Sequence, residues 1–162
     1  MTHAVKLSIA SGIVLAGCMN SMLALAAEDM LDLRVGRLDL SGPGSTMAQV
    51  EYRSGVDWAG LRPQLGLFTT NKNAVHLYAG LAYPLRVTNR WSLTPSASIG
   101  YYDNGNDIDL GHDIEFYTRL DVSYRINDAV QFAVGIAHIS NADLGEHNPG
   151  AEAAYLGFTF DL

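Results

Sequence analysis

The chain has one cysteine, few basic residues and no sustained helical periodicity after its N-terminal segment. With Cys18 as its only cysteine, the chain cannot form an internal disulfide. The ten Lys and Arg residues are scattered singly, and the formal net charge is −7. This balance argues against nucleic acid as a partner, because nucleic-acid binding requires a basic face. No linker or composition shift divides the chain, which predicts a single domain.

The N-terminal segment has the pattern of a secretory signal. Residues 7–27 are mostly apolar, preceded by Lys6 and ended by Ala24-Leu25-Ala26, which predicts a signal peptide over 1–26 and one domain over 27–162. A transmembrane anchor is an alternative, although interspersed serines, glycine and asparagine disfavour it. Another alternative is lipoprotein processing before Cys18, since Leu15-Ala16-Gly17-Cys18 resembles a lipobox. The apolar run continues past Cys18, which favours cleavage after Ala26.

The rest of the chain is a series of short apolar-polar alternations separated by turn residues. Such runs, bounded by clusters of Gly, Asn, Asp and Ser, predict β-strands. Eight strands are expected, near residues 29–40, 46–55, 61–69, 74–85, 91–102, 112–126, 130–140 and 151–161.

Each predicted strand has one apolar and one polar face. In 112–124, one face carries Phe116, Leu120 and Val122, and the other carries Arg119 and Asp121. A soluble barrel or sandwich would bury the apolar face, whereas an outer-membrane barrel turns it toward lipid. The secretory signal, the even strand count and strand lengths near those of membrane spans favour an all-β fold, an eight-stranded antiparallel transmembrane β-barrel.

Three residues on one predicted hairpin have the chemistry of a hydrolytic triad. His138 and Ser140 share the apolar face of one strand, and Glu152 lies on the apolar face of the next. A serine nucleophile needs a nearby base, and a carboxylate can orient and stabilise that base. Taken singly, each has an ordinary explanation as a turn residue, a rim residue or a solvated charge. Their joint placement on a lipid-facing surface predicts an enzyme that acts on a lipid.

Three blocks of the second half resemble the lipid A 3-O-deacylase (PagL-type) family. They are Asp109-Leu110-Gly111-His112-Asp113-Ile114-Glu115-Phe116, His138-Ile139-Ser140-Asn141-Ala142, and Asn148-Pro149-Gly150 followed by Glu152. The resemblance implies a Gram-negative outer-membrane barrel that hydrolyses the ester-linked hydroxyacyl chain at position 3 of lipid A. It also implies a nucleophile, a base and an orienting acid, which would be Ser140, His138 and Glu152.

The same resemblance assigns supporting roles around the triad. Asn148 would help to bind the oxyanion together with the backbone amide of Asp143, and Asn141 and Phe116 would support the site and the substrate. The family commonly has Gly where this chain has Asp143, and an acidic side chain is unfavourable beside a developing negative charge.

No cofactor or metal is expected, and the partners expected are lipid A or lipopolysaccharide and the membrane. The acidic stretch 103–109 lacks the spacing of a calcium loop, and the histidines lack the spacing of a zinc site. A homodimer is left open. Two other functions also stay open: a non-catalytic barrel serving adhesion or envelope integrity, and an outer-membrane phospholipase.

Overall fold

Nine β-strands form the part of the chain that the computed structural model describes, residues 28–162. The predicted signal peptide lies outside the described residues. The strands are β1 Met30–Leu38, β2 Ser45–Arg53, β3 Arg62–Thr70, β4 Val75–Ala82, β5 Leu85–Arg86, β6 Trp91–Asp103, β7 Ile114–Arg125, β8 Val130–Ser140 and β9 Ala151–Asp161. Residues 28–162 contain no helix long and apolar enough to cross a membrane.

The strands pair in an antiparallel sheet that closes on itself. Their order is β4-β3-β2-β1-β9-β8-β7-β6-β5, and a pairing between β4 and β6 completes the ring. The predicted eight-stranded antiparallel barrel is therefore confirmed. The predicted fourth strand, 74–85, is divided into β4 and the two-residue β5, which pairs only with β6. Pro84 lies at the division, where its missing N–H prevents continuous pairing.

The two faces of the barrel are arranged as the alternation predicts. Leu120, Val134 and Leu156 are exposed on the outside, at 39%, 43% and 48% of their surface, while Glu115 and Arg119 are buried inside. An apolar exterior around a polar, filled interior is the arrangement of a barrel whose solvent is lipid.

The interior is filled by two kinds of side chain. Arg119, Glu51, Arg53 and Asp32 form ion pairs of 2.6 to 3.4 Å inside the barrel. The rings of Phe68, His76, Tyr78, Tyr102 and Tyr117 pack against one another with centroid distances of 5.2 to 6.4 Å.

The two ends of the barrel differ. At one end, called the loop rim, lie the connections 39–44, 71–74, 104–113 and 141–150. At the other, called the terminal rim, lie the connections 54–61, 83–90 and 126–129 and both ends of the described chain. All of the predicted site residues belong to strand ends or connections near the loop rim.

Candidate active site

His138 and Glu152 lie side by side on the outer surface of the barrel. They are register partners across β8 and β9, and the His138 Nδ1 atom is 3.5 Å from Glu152 Oε1. Both side chains are about half exposed, at 49% and 56%. The carboxylate therefore lies at one ring nitrogen of the imidazole and can fix its tautomer, leaving Nε2 available to a reacting group.

Ser140 ends β8, two residues beyond His138 on the same face. Its register partner on β7 is Phe116, and Thr118 lies opposite His138. Ser140 and Phe116 are both half-buried. Residues i and i+2 of a strand are about 6–7 Å apart along the backbone, and no hydrogen bond joins Ser140 to His138 within residues 28–162. The three triad candidates thus share one site, in which the serine and histidine are close neighbours but not bonded.

Asn141, the next residue, is fully buried and holds two loops together. Its side-chain amide donates to the carbonyl of Leu110 at 2.7 Å and to the carbonyl of His147 at 2.8 Å. A β-carbon placed on Gly111 or Gly145 would come 3.2 Å from that amide nitrogen. Asn141 consequently fixes the connections 104–113 and 141–150 directly behind Ser140.

Asn148 is linked to both Asn141 and Asp143. Its side-chain oxygen accepts a hydrogen bond from the backbone N–H of Asn141, and its amide donates to Asp143 Oδ1, both at 3.2 Å. Asp143 has φ of 63° and Ala142 φ of 52°, so the turn after β8 is left-handed. The Asp143 carboxylate is therefore engaged with Asn148, and an amide hydrogen of Asn148 stays free for another acceptor.

Gly150 is a site residue that sequence reasoning did not single out. Its φ is 61°, and a β-carbon on it would lie 2.9 Å from Cε1 of His138 and 3.4 Å from Nε2. The Asn-Pro-Gly sequence signals a turn, but only the register of β8 and β9 brings this glycine against the imidazole.

An outward groove runs from the His138–Glu152 pair along the barrel wall. Its volume is about 480 Å³, and its outer walls include Leu40, Leu120 and Ile136. Apolar grooves with a few polar groups at one end are typical of sites for amphiphilic ligands.

The acidic connection 103–109 uses its carboxylates for local structure. Asp103 and Asp109 each accept a hydrogen bond from a glycine backbone N–H two residues on, and Asp107 accepts one from the Thr70 hydroxyl at 2.7 Å. Lys72 Nζ lies 3.7 Å from Asp107. These contacts show that the three carboxylates stabilise the connection itself.

The sequence matches the model of a known protein family, and the fold matches solved structures. The sequence model of the lipid A 3-O-deacylase (PagL) family matches residues 44–160. No curated protein matches the chain by sequence.

Solved structures that share the fold include the following three. The outer membrane enzyme PagL superposes with a TM-score of 0.61 at 17% identity, covering 82% of this chain and 99% of that one. Neisserial surface protein A gives 0.62 at 12% identity, covering 83% and 96%. A de novo designed transmembrane β-barrel gives 0.64 at 13% identity, covering 84% and 96%.

Proposed function

Because the chain belongs to the lipid A 3-O-deacylase (PagL) family, we propose that it hydrolyses the 3-O-linked hydroxyacyl ester of lipid A with Ser140, His138 and Glu152 as its triad. The family and the fold make the chain a barrel of the Gram-negative outer membrane. In such barrels the longer connections face the cell exterior. The loop rim then lies at the outer leaflet, where lipid A is found.

The proposed reaction is acyl transfer through the serine. His138 Nε2 takes the proton of the Ser140 hydroxyl as Oγ attacks the ester carbonyl, and it then protonates the leaving 3-oxygen of lipid A. Water cleaves the resulting acyl-serine with the same base and releases a hydroxy fatty acid. Glu152, at the other ring nitrogen, stabilises the imidazolium. Rotation of the Ser140 and His138 side chains would close the hydrogen bond between them, as contacts often tighten when substrate binds.

Two groups next to Ser140 can stabilise the oxyanion. The free amide hydrogen of Asn148 is one, and the backbone N–H of Asp143 is the other. Donors fixed in place before the reaction stabilise a developing charge most effectively, and Asn148 is fixed by its bonds to Asn141 and Asp143.

The apolar groove beside His138 can hold the acyl chain of the substrate. Leu120 and Ile136 continue from the catalytic pair toward the middle of the barrel wall, so a chain in this groove would stay within the hydrocarbon layer while its ester reached Ser140.

The observation that carries the proposal is the outward His138–Glu152 contact at 3.5 Å beside Ser140. Mass spectrometry of lipid A from cells expressing the wild type should show loss of one hydroxyacyl chain. Ser140→Ala should abolish that change, with turnover reduced at least about a thousandfold, while the folded barrel keeps its heat-modifiable mobility on gels. Phospholipids from the same cells distinguish a phospholipase, and a barrel serving adhesion would alter neither lipid.

A further inference from the structure

Five of the arginines meet in a cavity at the terminal rim, although they are scattered along the sequence. The cavity has a volume of about 150 Å³, and its lining contains no carboxylate. Hydroxyl and amide groups complete the lining, among them Thr88, Asn89 and Gln131. The arginines are Arg53, Arg62, Arg86, Arg90 and Arg125.

Two of these arginines are paired with carboxylates outside the cavity lining. Arg53 lies 2.8 Å from Asp32 and 3.4 Å from Glu51. Arg125 lies 3.3 Å from Asp161. Their charges are therefore largely balanced by carboxylates of the barrel.

The other three have no carboxylate partner within residues 28–162. Arg62 donates to the carbonyl oxygens of Ser54 and Glu28. Arg90 donates to the Tyr124 hydroxyl at 2.9 Å, and Arg86 forms neither an ion pair nor a side-chain hydrogen bond within the described part of the chain. Arg90 also packs against the outward-facing Tyr124 ring, 6.0 Å from its centroid, so its charge lies at the edge of the cavity. Arg62 and Arg86 thus border one small space without a direct carboxylate contact.

The nearby carboxylates lie outside the lining of the cavity. A wider opening of about 590 Å³ shares Arg62, Arg86 and Arg125 and adds Glu28, Asp128 and Asp161. Asp121 is buried on the interior face of β7 and does not line the cavity. The lining of the inner cavity is therefore richer in positive charge than its surroundings.

We propose that this cavity binds a phosphate group. A guanidinium presents paired donors that match two phosphate oxygens, and the charges of Arg62 and Arg86, which have no direct carboxylate contact, balance a dianion. The hydroxyl and amide donors can satisfy its remaining oxygens. The volume admits one such group, supplied either by free phosphate in the periplasm or by the head group of an anionic phospholipid in the inner leaflet.

Calorimetric titration of the full chain in zwitterionic detergent with inorganic phosphate, at constant ionic strength, tests the proposal. Saturable binding of one phosphate is expected. Arg86→Gln should weaken it about tenfold, because a hydrogen bond to a charged group is removed. Arg86→Lys, which keeps the charge without the paired donors, should lose less.

Arg37→Gln is the matched control, since Arg37 is exposed near the loop rim and binds the Pro43 carbonyl. Its phosphate affinity should equal that of the wild type. Absence of saturable binding by the folded wild type, or equal losses in all of the variants, would overturn the proposal. Heat-modifiable mobility confirms that each variant is folded.

Nanodiscs identify the source of the phosphate. If phosphate titrates the protein equally in phosphatidylcholine discs and in discs containing phosphatidylglycerol, free phosphate is the ligand. In the other outcome, phosphatidylglycerol suppresses phosphate binding by the wild type and by Arg37→Gln. If Arg86→Gln then removes this suppression, the lipid head group occupies the cavity. Suppression that Arg86→Gln leaves unchanged would contradict occupation of this cavity by the head group.

Discussion

Arg119 and Glu51 form an ion pair of 2.6 Å across the interior of the barrel, although their strands are not neighbours. Arg119 also donates to Ser96 and Gln64, and Tyr78 donates to Glu51. The pair therefore links β7 to β2 through the lumen, and both side chains are fully enclosed.

Arg119→Leu should destabilise the barrel by about 3–5 kcal/mol, because it leaves the Glu51 carboxylate buried without its main cation. Urea unfolding in detergent or liposomes measures the loss. The double variant Arg119→Leu/Glu51→Gln should recover a substantial part of it, and a single variant as stable as the wild type would contradict the interior placement of Arg119.

Val134→Arg tests whether the outer face of the barrel contacts lipid. Val134 is exposed on the outer surface near the middle of β8, where an arginine in lipid costs roughly 2–4 kcal/mol. Unfolding from liposomes should show this cost, whereas a soluble barrel with inverted faces would bury position 134. Cysteine labelling from the lipid phase should mark positions 118, 120 and 122. Labelling of 119 and 121 instead would refute the assignment of the faces.

Glu152→Ala should lower turnover less than Ser140→Ala does, because His138 can still accept a proton in a less favourable orientation. Turnover of a lipid A substrate in mixed micelles measures the difference, with Glu152→Gln as the conservative control. Full activity in Glu152→Ala would mean that Glu152 is only a surface charge.

Gly150→Ala should reduce turnover by crowding the imidazole. A β-carbon there would lie 2.9 Å from His138 Cε1, and the left-handed backbone disfavours any side chain. Turnover measures the effect, while unfolding separates it from a general loss of stability. The comparison variant is Gly44→Ala, which has a similar left-handed backbone at φ of 58° and whose β-carbon would first meet the flexible end of Arg37. Equal effects of the two variants on turnover would remove Gly150 from the site.

Asp143→Gly should change turnover through Asn148. The substitution suits the left-handed backbone at φ of 63°, but it removes the acceptor that holds the Asn148 amide at 3.2 Å. If holding Asn148 matters most, turnover falls although the barrel becomes no less stable. Asp143→Asn, which keeps an acceptor oxygen and removes the charge, separates the two contributions. A rise in turnover with both variants would show that the carboxylate opposes the oxyanion.

The sequence predicted the barrel well because strand alternation is a local property. The outward faces of β7 and β8 follow directly from residues such as Leu120 and Val134. The prediction of an eight-stranded barrel is confirmed, although it did not include the break at Pro84. Pairing across the lumen was beyond reach, since Arg119 and Glu51 are far apart in sequence and alternation does not indicate which interior groups meet.

For the candidate site, the sequence predicted that His138, Ser140 and Glu152 share one face of a hairpin. It did not predict which residues surround them. The approach of Gly150 to His138 depends on the register of β8 and β9. The anchoring of Asn141 depends on Leu110, which belongs to a distant connection. The arginine cluster of the terminal rim could not be predicted for the same reason. Barrel closure brings together arginines that are far apart in the sequence.

The His138–Glu152 pair opens sideways from the barrel wall rather than upward into solvent. For the proposed reaction, enzyme and substrate therefore meet by lateral diffusion in two dimensions. The concentration that governs turnover is then the mole fraction of lipid A within the leaflet. Diluting the membrane with inert lipid should slow the reaction, whereas diluting the vesicle suspension with buffer should not.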